Sequence, residues 1–213
     1  MVRHGQSVAN AQSRFAGHSD FDITELGRKQ ASLAAKYLVK REKVDKIYSS
    51  DLMRAHNTAL PFANEYRLQI NDTEALREMF AGKWEGQEVA ELCKLYPEDM
   101  LAWRDDFSNA RCTGGESVKE LYERIVKAVC AIARENDGQT VLMATHATPV
   151  RAVECYSRGW GAERMADVSF VRNAAISIFE YDPTDESIKA IDTDIVEHLE
   201  QTLITAVPTD LKN

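Results

Sequence analysis

The chain has 213 residues, with 26 Lys+Arg against 34 Asp+Glu and a formal charge of −8; at about 150 residues per domain, the length fits one compact domain carrying an insertion. Hydrophobic content of 44% and charged content of 28% are ordinary for a globular protein and exclude collagen, coiled coil and wholesale disorder. The acidic balance argues against a nucleic-acid surface, while leaving room for a small anionic ligand, because the local field of a pocket can oppose the net charge.

In chain order, Val2-Arg3-His4 reads as the end of a first strand. Thr24 caps a helix to about Lys40, with Leu26, Gln30, Leu33, Ala34, Tyr37 and Leu38 at helical spacing. Lys46 to Ser49 is a second strand, and Leu52 to about Tyr66 a helix that carries Pro61, where a kink is expected. Gln69 to Leu76 holds one or two short strands. From Gly82 to Gly115 the pattern turns irregular, aromatic and charged, as expected of an insertion that covers something. Ser117-Val118-Lys119-Glu120 is a capping box opening a long amphipathic helix to about Asn136. Thr140 to Thr145, with its unbroken apolar middle, suits a central strand covered on both faces. Thr148-Pro149 reads as N-cap and N1 of the next helix, Ala175–Tyr181 and Ser187–Ile191 as two closing strands, and Pro208 to Asn213 as a frayed tail. Short apolar runs alternating with helical patterns imply a three-layer α/β/α fold with a largely parallel central sheet and an inserted cap. The whole chain, 1–213, is expected to form one domain with the cap at about 79–115.

No apolar run approaches the roughly 18 residues of a membrane span, and Met1-Val2-Arg3-His4 carries no signal-peptide pattern, so a cytoplasmic protein without membrane contact is expected. Cys93, Cys112, Cys130 and Cys155 are widely spaced without a C-x-x-C pair, which predicts four reduced, half-buried thiols and no zinc site. Neither a metal nor an organic cofactor is expected.

Open α/β sheets bind ligands at the carboxyl ends of their strands. Arg3-His4-Gly5 follows the first strand, Ser49 to Arg54 the second, and Thr145-His146 ends the central one. Two imidazoles and two guanidiniums delivered to one rim suit an anion, and Arg forks match phosphate oxygens bidentately. A lone His or Arg is usually structural or solvated, which is the reading for His18, His56 and His198; joint placement after strand ends sets His4 and His146 apart.

These residues carry a resemblance. Arg3-His4-Gly5-Gln6-Ser7-Val8-Ala9-Asn10 matches the R-H-G-x-T/S-x-x-N signature of the histidine phosphatase superfamily, the phosphoglycerate-mutase-like fold. Gly17, Asp20, Thr24, Gly27 and Gln30-Ala31 look like its G-x-x-D-x-x-L-T-x-x-G-x-x-Q-A stretch, and Ser50 to Ala55 with Thr58-Ala59 like S-x-L-x-R-A-x-x-T-A. Leu76-Arg77-Glu78 with Gly82, Trp84, Glu85 and Gly86 resembles L-x-E-x-x-x-G-x-W-E-G, Gly115-Glu116-Ser117 with Arg124 resembles G-E-S and its downstream Arg, and Thr145-His146 closes the set. The likeness covers about residues 2 to 155 and returns at His198-Leu199. There are departures: only Met1-Val2 precede Arg3, Ala147 stands where Gly commonly follows the second His, and Asn57 stands where Gln is common.

The resemblance implies that His4 is the nucleophile that forms a phosphohistidine. It makes Arg3, Arg54, His146 and Asn10 the phosphate cradle, with Ala16, Gly17 and Ala147 beside it, and Glu78 the general acid and base. Arg77 to Gly86 lies closer to the phosphatase branch than to the mutases' E-R-x-Y-G-x-L-Q-G. The expected activity is therefore metal-independent hydrolysis of a phosphomonoester of the histidine acid phosphatase type, acting on a small phosphorylated metabolite, with mutase-type transfer or a non-catalytic phosphate-binding module as alternatives. Lys83, Trp103, Arg104 and Arg111 are expected to meet the alcohol part of the substrate. An unrelated hydrolase is disfavoured by the absence of G-x-S-x-G, H-E-x-x-H and P-loop patterns. A homodimer through an exposed strand or helix is compatible with such a chain.

Overall fold

The computed structural model describes residues 1–205; the expected tail from Pro208 to Asn213 lies outside the described residues. Six strands form one sheet in the order β3-β2-β4-β1-β5-β6, from β1 (Val2–Arg3), β2 (Lys46–Ser50), β3 (Ile70–Thr73), β4 (Val141–Thr145), β5 (Ile176–Asp182) and β6 (Ser187–Ile195). The β3-β2-β4-β1 half is parallel, with Tyr48 opposite Met143 and Val2 opposite Ala144. Antiparallel β5 and β6 complete the sheet on the other side of β1. The Gln69–Leu76 stretch resolves into one strand, β3, and a 3-10 turn at Glu74–Leu76.

The sheet is covered on both faces, as the central-strand reading of β4 requires. Leu142 and Ala144 pack with Ala34, Ala35 and Leu38 of α2 (Glu25–Leu38) and with Ala59 and Phe62 of α3 (Met53–Tyr66). Met143 points the other way, into a core with α6 (Val118–Glu135) and α7 (Ala147–Ser157). Residues i and i+1 of a strand face opposite sides, so one apolar run serves both cores.

Local sequence sets the element ends. Thr24 accepts the Gly27 N–H at the start of α2, and Ser117 and Glu120 close the expected capping box of α6. Along α6, Val118, Leu121, Ile125, Val129 and Ile132 are buried at helical spacing, each contributing about 1.5–3 kcal/mol of apolar burial. A second capping box, Ser7 with Asn10, opens a one-turn helix, α1 (Val8–Ala11), that the sequence reading did not anticipate.

Three expectations need correcting. Helix α7 starts at Ala147 with His146 as its N-cap, rather than with Thr148 as cap. His146 is extended (φ −125°, ψ 179°), and Pro149 still fits within the first turn, where a missing N–H costs nothing. Strand β6 runs on to Ile195 instead of stopping at Ile191. The cysteines are all free, but Cys112, Cys130 and Cys155 are buried and Cys93 exposed, instead of all being half-buried.

Between β3 and α6 the chain forms α4 (Val89–Leu95), α5 (Pro97–Asp105) and short 3-10 turns. Their inner side is aromatic: Trp84, Trp103 and Phe107, joined by Phe15 from the loop before α2, meet edge to face with centroids 4.9–5.7 Å apart, and the cluster joins the core of α6 and α7. Among the described residues, no helix is long and apolar enough to cross a membrane.

Candidate active site

The carboxyl ends of β1, β2 and β4 converge beneath the aromatic segment. The hollow there, with an empty volume of about 620 Å³ open to solvent, is lined by Arg3, His4, Asn10, Ala16, Gly17, Arg54, Glu78 and Ala147, and also by Arg14, Phe15, Met79, Trp103 and Thr148. His146 lies just behind this wall, wholly buried, its ring centroid 5.3 Å from that of His4. Every residue that the sequence assigned to catalysis or phosphate binding is thus brought to one place.

His4 follows β1 directly, and its N–H bonds to the Thr145 carbonyl. Its Nδ1 lies 2.7 Å from the carbonyl oxygen of Gly5. A carbonyl can only accept, so Nδ1 carries the proton and Nε2 keeps its lone pair. Burial, then the charges of Arg54 and Arg3, hold the imidazole well below its ordinary pKa, so it is neutral. Gly5 is required for space: a Cβ there would sit 2.5 Å from the Gly27 carbonyl oxygen.

Arg3 and Arg54 are fixed by the backbone. Arg3 Nη1 donates to Val171 O (2.6 Å), and Arg54 Nη1 and Nη2 donate to Ser19 O (2.9 Å) and Gly17 O (2.7 Å). The Nε–H of each is buried without a protein partner, as is His146 Nδ1. Burial lowers both guanidiniums to about 10, which leaves them charged at neutral pH. Buried donors without acceptors are costly, and a tetrahedral oxyanion supplies the acceptors that these groups lack. His146 Nε2 lies 2.8 Å from Ser50 Oγ, and burial followed by the charge of Arg54 depresses its pKa well below the usual value.

Asn10 is steered by residues the sequence reading did not assign. Its Oδ1 accepts from Ser7 N–H and from Asn173 Nδ2, both at 3.1 Å, which leaves its amide N–H groups free to serve the hollow. Asn173, wholly buried before β5, also donates to His4 O. It lies beyond the continuous stretch of motif matches, so no sequence signal marks it. Arg14 and Phe15 fall in the gap between Asn10 and Gly17, which the motifs leave undefined.

Glu78 lies across the hollow in a segment with neither helix nor strand. Its Oε1 accepts from Met79 N–H at 3.0 Å and its Oε2 from Thr148 N–H at 3.4 Å. Glu85 ties this side to the phosphate side: its carboxylate accepts from Ala81 N–H (2.8 Å), His18 N–H (2.8 Å) and both Ser19 N–H (2.6 Å) and Oγ (2.7 Å). Of the four residues expected at the alcohol end, only Trp103 lines the hollow. Arg104 pairs with Asp105 and Arg111 with Glu120 on the exposed surface, and Lys83 is exposed. Local ion pairs claimed those arginines, and such pairs cannot be read from motif spacing. Of the remaining histidines, His18 donates to Glu78 O at 2.8 Å, His56 pairs with Asp72, and His198 bonds Ala174 O.

The profile of the Histidine phosphatase superfamily (branch 1) matches residues 1–194. Phosphoserine phosphatase 1 of Hydrogenobacter thermophilus is 36% identical over 155 residues, covering 73% of each chain. Phosphoglycerate mutase-like protein 4 of Arabidopsis thaliana is 31% identical over 204 residues, 95% of this chain and 86% of the relative. Among solved structures, mycobacterial glucosyl-3-phosphoglycerate phosphatase complexed with VO3 superposes with a TM-score of 0.80 at 30% identity, covering 92% of this chain and 96% of the other.

Proposed function

The chain belongs to the histidine phosphatase superfamily, branch 1, and from that premise we propose that it hydrolyses a phosphomonoester of a small metabolite through a phosphohistidine on His4, without a metal ion. The observation that carries this reading is the pairing of an unprotonated His4 Nε2, in the same hollow as two buried guanidiniums, with a carboxyl group.

In the first step, the Nε2 lone pair attacks phosphorus and the phosphorus–ester oxygen bond breaks. The leaving oxygen takes a proton from the Glu78 carboxyl, and the Nδ1–H bond to Gly5 O stabilises the positive ring as it forms. In the second step, water gives a proton to the Glu78 carboxylate and attacks phosphorus. The N–P bond breaks, releasing inorganic phosphate and neutral His4. Arg3, Arg54, His146 and Asn10 hold the equatorial oxygens, where charge stabilisation is worth most. With two fixed cations in the cradle, no metal is needed to balance the phosphoryl charge. Burial and the neighbouring guanidiniums hold the imidazole of His4 well below its usual pKa, which keeps the nucleophile in its neutral, attacking form at neutral pH.

Phe15, Met79 and Trp103 also line the hollow, and we assign this apolar surface to the leaving alcohol; Arg14 beside them is held by Gly86 O and by an ion pair with Glu88. The free cysteines are compatible with a reducing, cytoplasmic setting. The names of the relatives put phosphoserine and glucosyl-3-phosphoglycerate first among metabolites to assay. A screen of phosphorylated metabolites for released inorganic phosphate, with a strong chelator present and beside an assay for 2- to 3-phosphoglycerate interconversion, tests the proposal. Phosphate release insensitive to chelator is expected. Interconversion without release would make the protein a mutase, and neither activity would leave a phosphate-binding module.

A further inference from the structure

The group that would protonate the leaving oxygen sits on a segment with neither helix nor strand, and one side chain gathers three carbonyls from it and from the turn just before it. Arg124, on the second turn of α6, reaches the Glu78 loop from behind. Its Nη1 donates to Ala75 O (3.2 Å) and Arg77 O (3.1 Å), and its Nη2 to Glu78 O (3.2 Å). Its Nε and Nη2 each meet a different oxygen of Glu116 at 2.9 Å. A guanidinium has five N–H donors, and each of the five is matched by one of these contacts. Glu116 in turn accepts from Phe80 N–H at 3.1 Å, and its own N–H donates to Phe80 O at 2.8 Å. The pair is part-buried, with side chains 29% and 13% exposed, and neither residue lines the hollow.

We propose that Arg124, clamped by Glu116, is a positioning residue that sets where the Glu78 carboxyl meets the ester oxygen. The inference rests on the reading of Glu78 as general acid. The carbonyls on either side of Glu78 converge on one rigid fork, so rotation of the loop would break several bonds at once. Lysine cannot replace this clamp, since an ammonium has three donors and no planar fork. General acid catalysis requires the donor within hydrogen-bond reach of the oxygen it protonates, and a shift of about 1 Å can cost on the order of 10²-fold in rate.

The test separates positioning from mere stability. Stopped-flow rates of phosphoenzyme formation are measured for aryl phosphates from 2,4-dinitrophenyl through p-nitrophenyl to phenyl phosphate, in wild type, Arg124→Lys, Glu116→Gln and Glu78→Gln. A dinitrophenolate leaves without a proton, whereas a phenolate gains from one. Arg124→Lys is expected to lose roughly tenfold or more on phenyl phosphate, to stay within about threefold on the dinitrophenyl ester, and so to follow Glu78→Gln with a steeper dependence on leaving-group basicity. Glu116→Gln, which keeps the shape of the side chain, is expected to move the same way by less. Equal losses across the series, or no loss, in Arg124→Lys while Glu78→Gln steepens it would overturn the positioning role. A Glu78→Gln series parallel to wild type would instead overturn the assignment of Glu78 as acid.

Discussion

The two sides of the hollow reach their geometry by different means. On the phosphate side, His4, Arg54 and His146 extend from the ends of a strand or the starts of helices, each nearly or wholly buried, and three consecutive features of the sheet fix their spacing. On the acid side, Glu78 lies on irregular chain, half-buried, and its place depends on side-chain-to-backbone bonds from Arg124 and Glu85. The phosphoryl group makes the same demands in every substrate, so its cradle can be rigid. In the proposed reaction the leaving alcohol is the variable part, and the acid side is built from loops, where change is tolerated without disturbing the sheet.

The largest expected effect falls on the rigid side. His4→Ala removes the attacking nitrogen and is expected to abolish both turnover and acid-labile labelling by radiolabelled substrate; labelling equal to wild type would refute the nucleophile. Next comes Arg54→Lys, which exchanges a planar fork for a point charge in a buried site. Loss of one preorganised charge-stabilising contact predicts a fall of roughly 10²–10³ in kcat, with little change in the dependence on leaving-group basicity. A steepened dependence would mean that the two sides are not separable.

Gly17 lies at the seam between them. It adopts φ +50°, and a Cβ there would fall 2.3 Å from Glu85 Oε1 and 2.5 Å from Ala81 Cβ. Gly17→Ala is expected to destabilise by about 1–3 kcal/mol and to slow both chemical steps together, read by thermal melts and single-turnover kinetics. The smallest effect is the pH dependence of stability. His4 and His146 have folded pKa values below their unfolded value of about 6.5. Above that pH both states are neutral and the full stability is present. As pH falls below it, only the unfolded chain takes up protons, so each imidazole lowers stability by about 1.4 kcal/mol per pH unit. Urea unfolding at pH 7 and pH 5.5 is expected to show a smaller loss in His4→Gln than in wild type, and equal losses would show that His4 is not held neutral.

The contrast also explains what the sequence disclosed. His4 and His146 directly follow strands and Arg54 lies just beyond one, so their meeting at one rim of the sheet is legible in the sequence, while the roles expected of them come from the family resemblance. The capping box of Ser117 and Glu120 is legible because a long amphipathic run follows it, whereas the box of Ser7 and Asn10 opens a single turn with no such run to mark it. Pro149 does not fix the start of α7, because proline is equally acceptable at several positions of a first turn. Asn173, 163 positions from the Asn10 it steers, and the Arg124 clamp on Ala75, Arg77 and Glu78 are contacts that only chain folding creates. Arg104 and Arg111 differ in kind: Asp105 and Glu120, carboxylates close to them in sequence, hold them at the surface and away from the hollow.

The central claim is that the Nε2 atom of His4 carries the phosphoryl group between two half-reactions. Phosphorus NMR and peptide mapping of the enzyme quenched during turnover test it most directly. The expected result is one acid-labile phosphohistidine, on His4 and substituted at Nε2; a label at Nδ1, on His146 or on a carboxylate would contradict it.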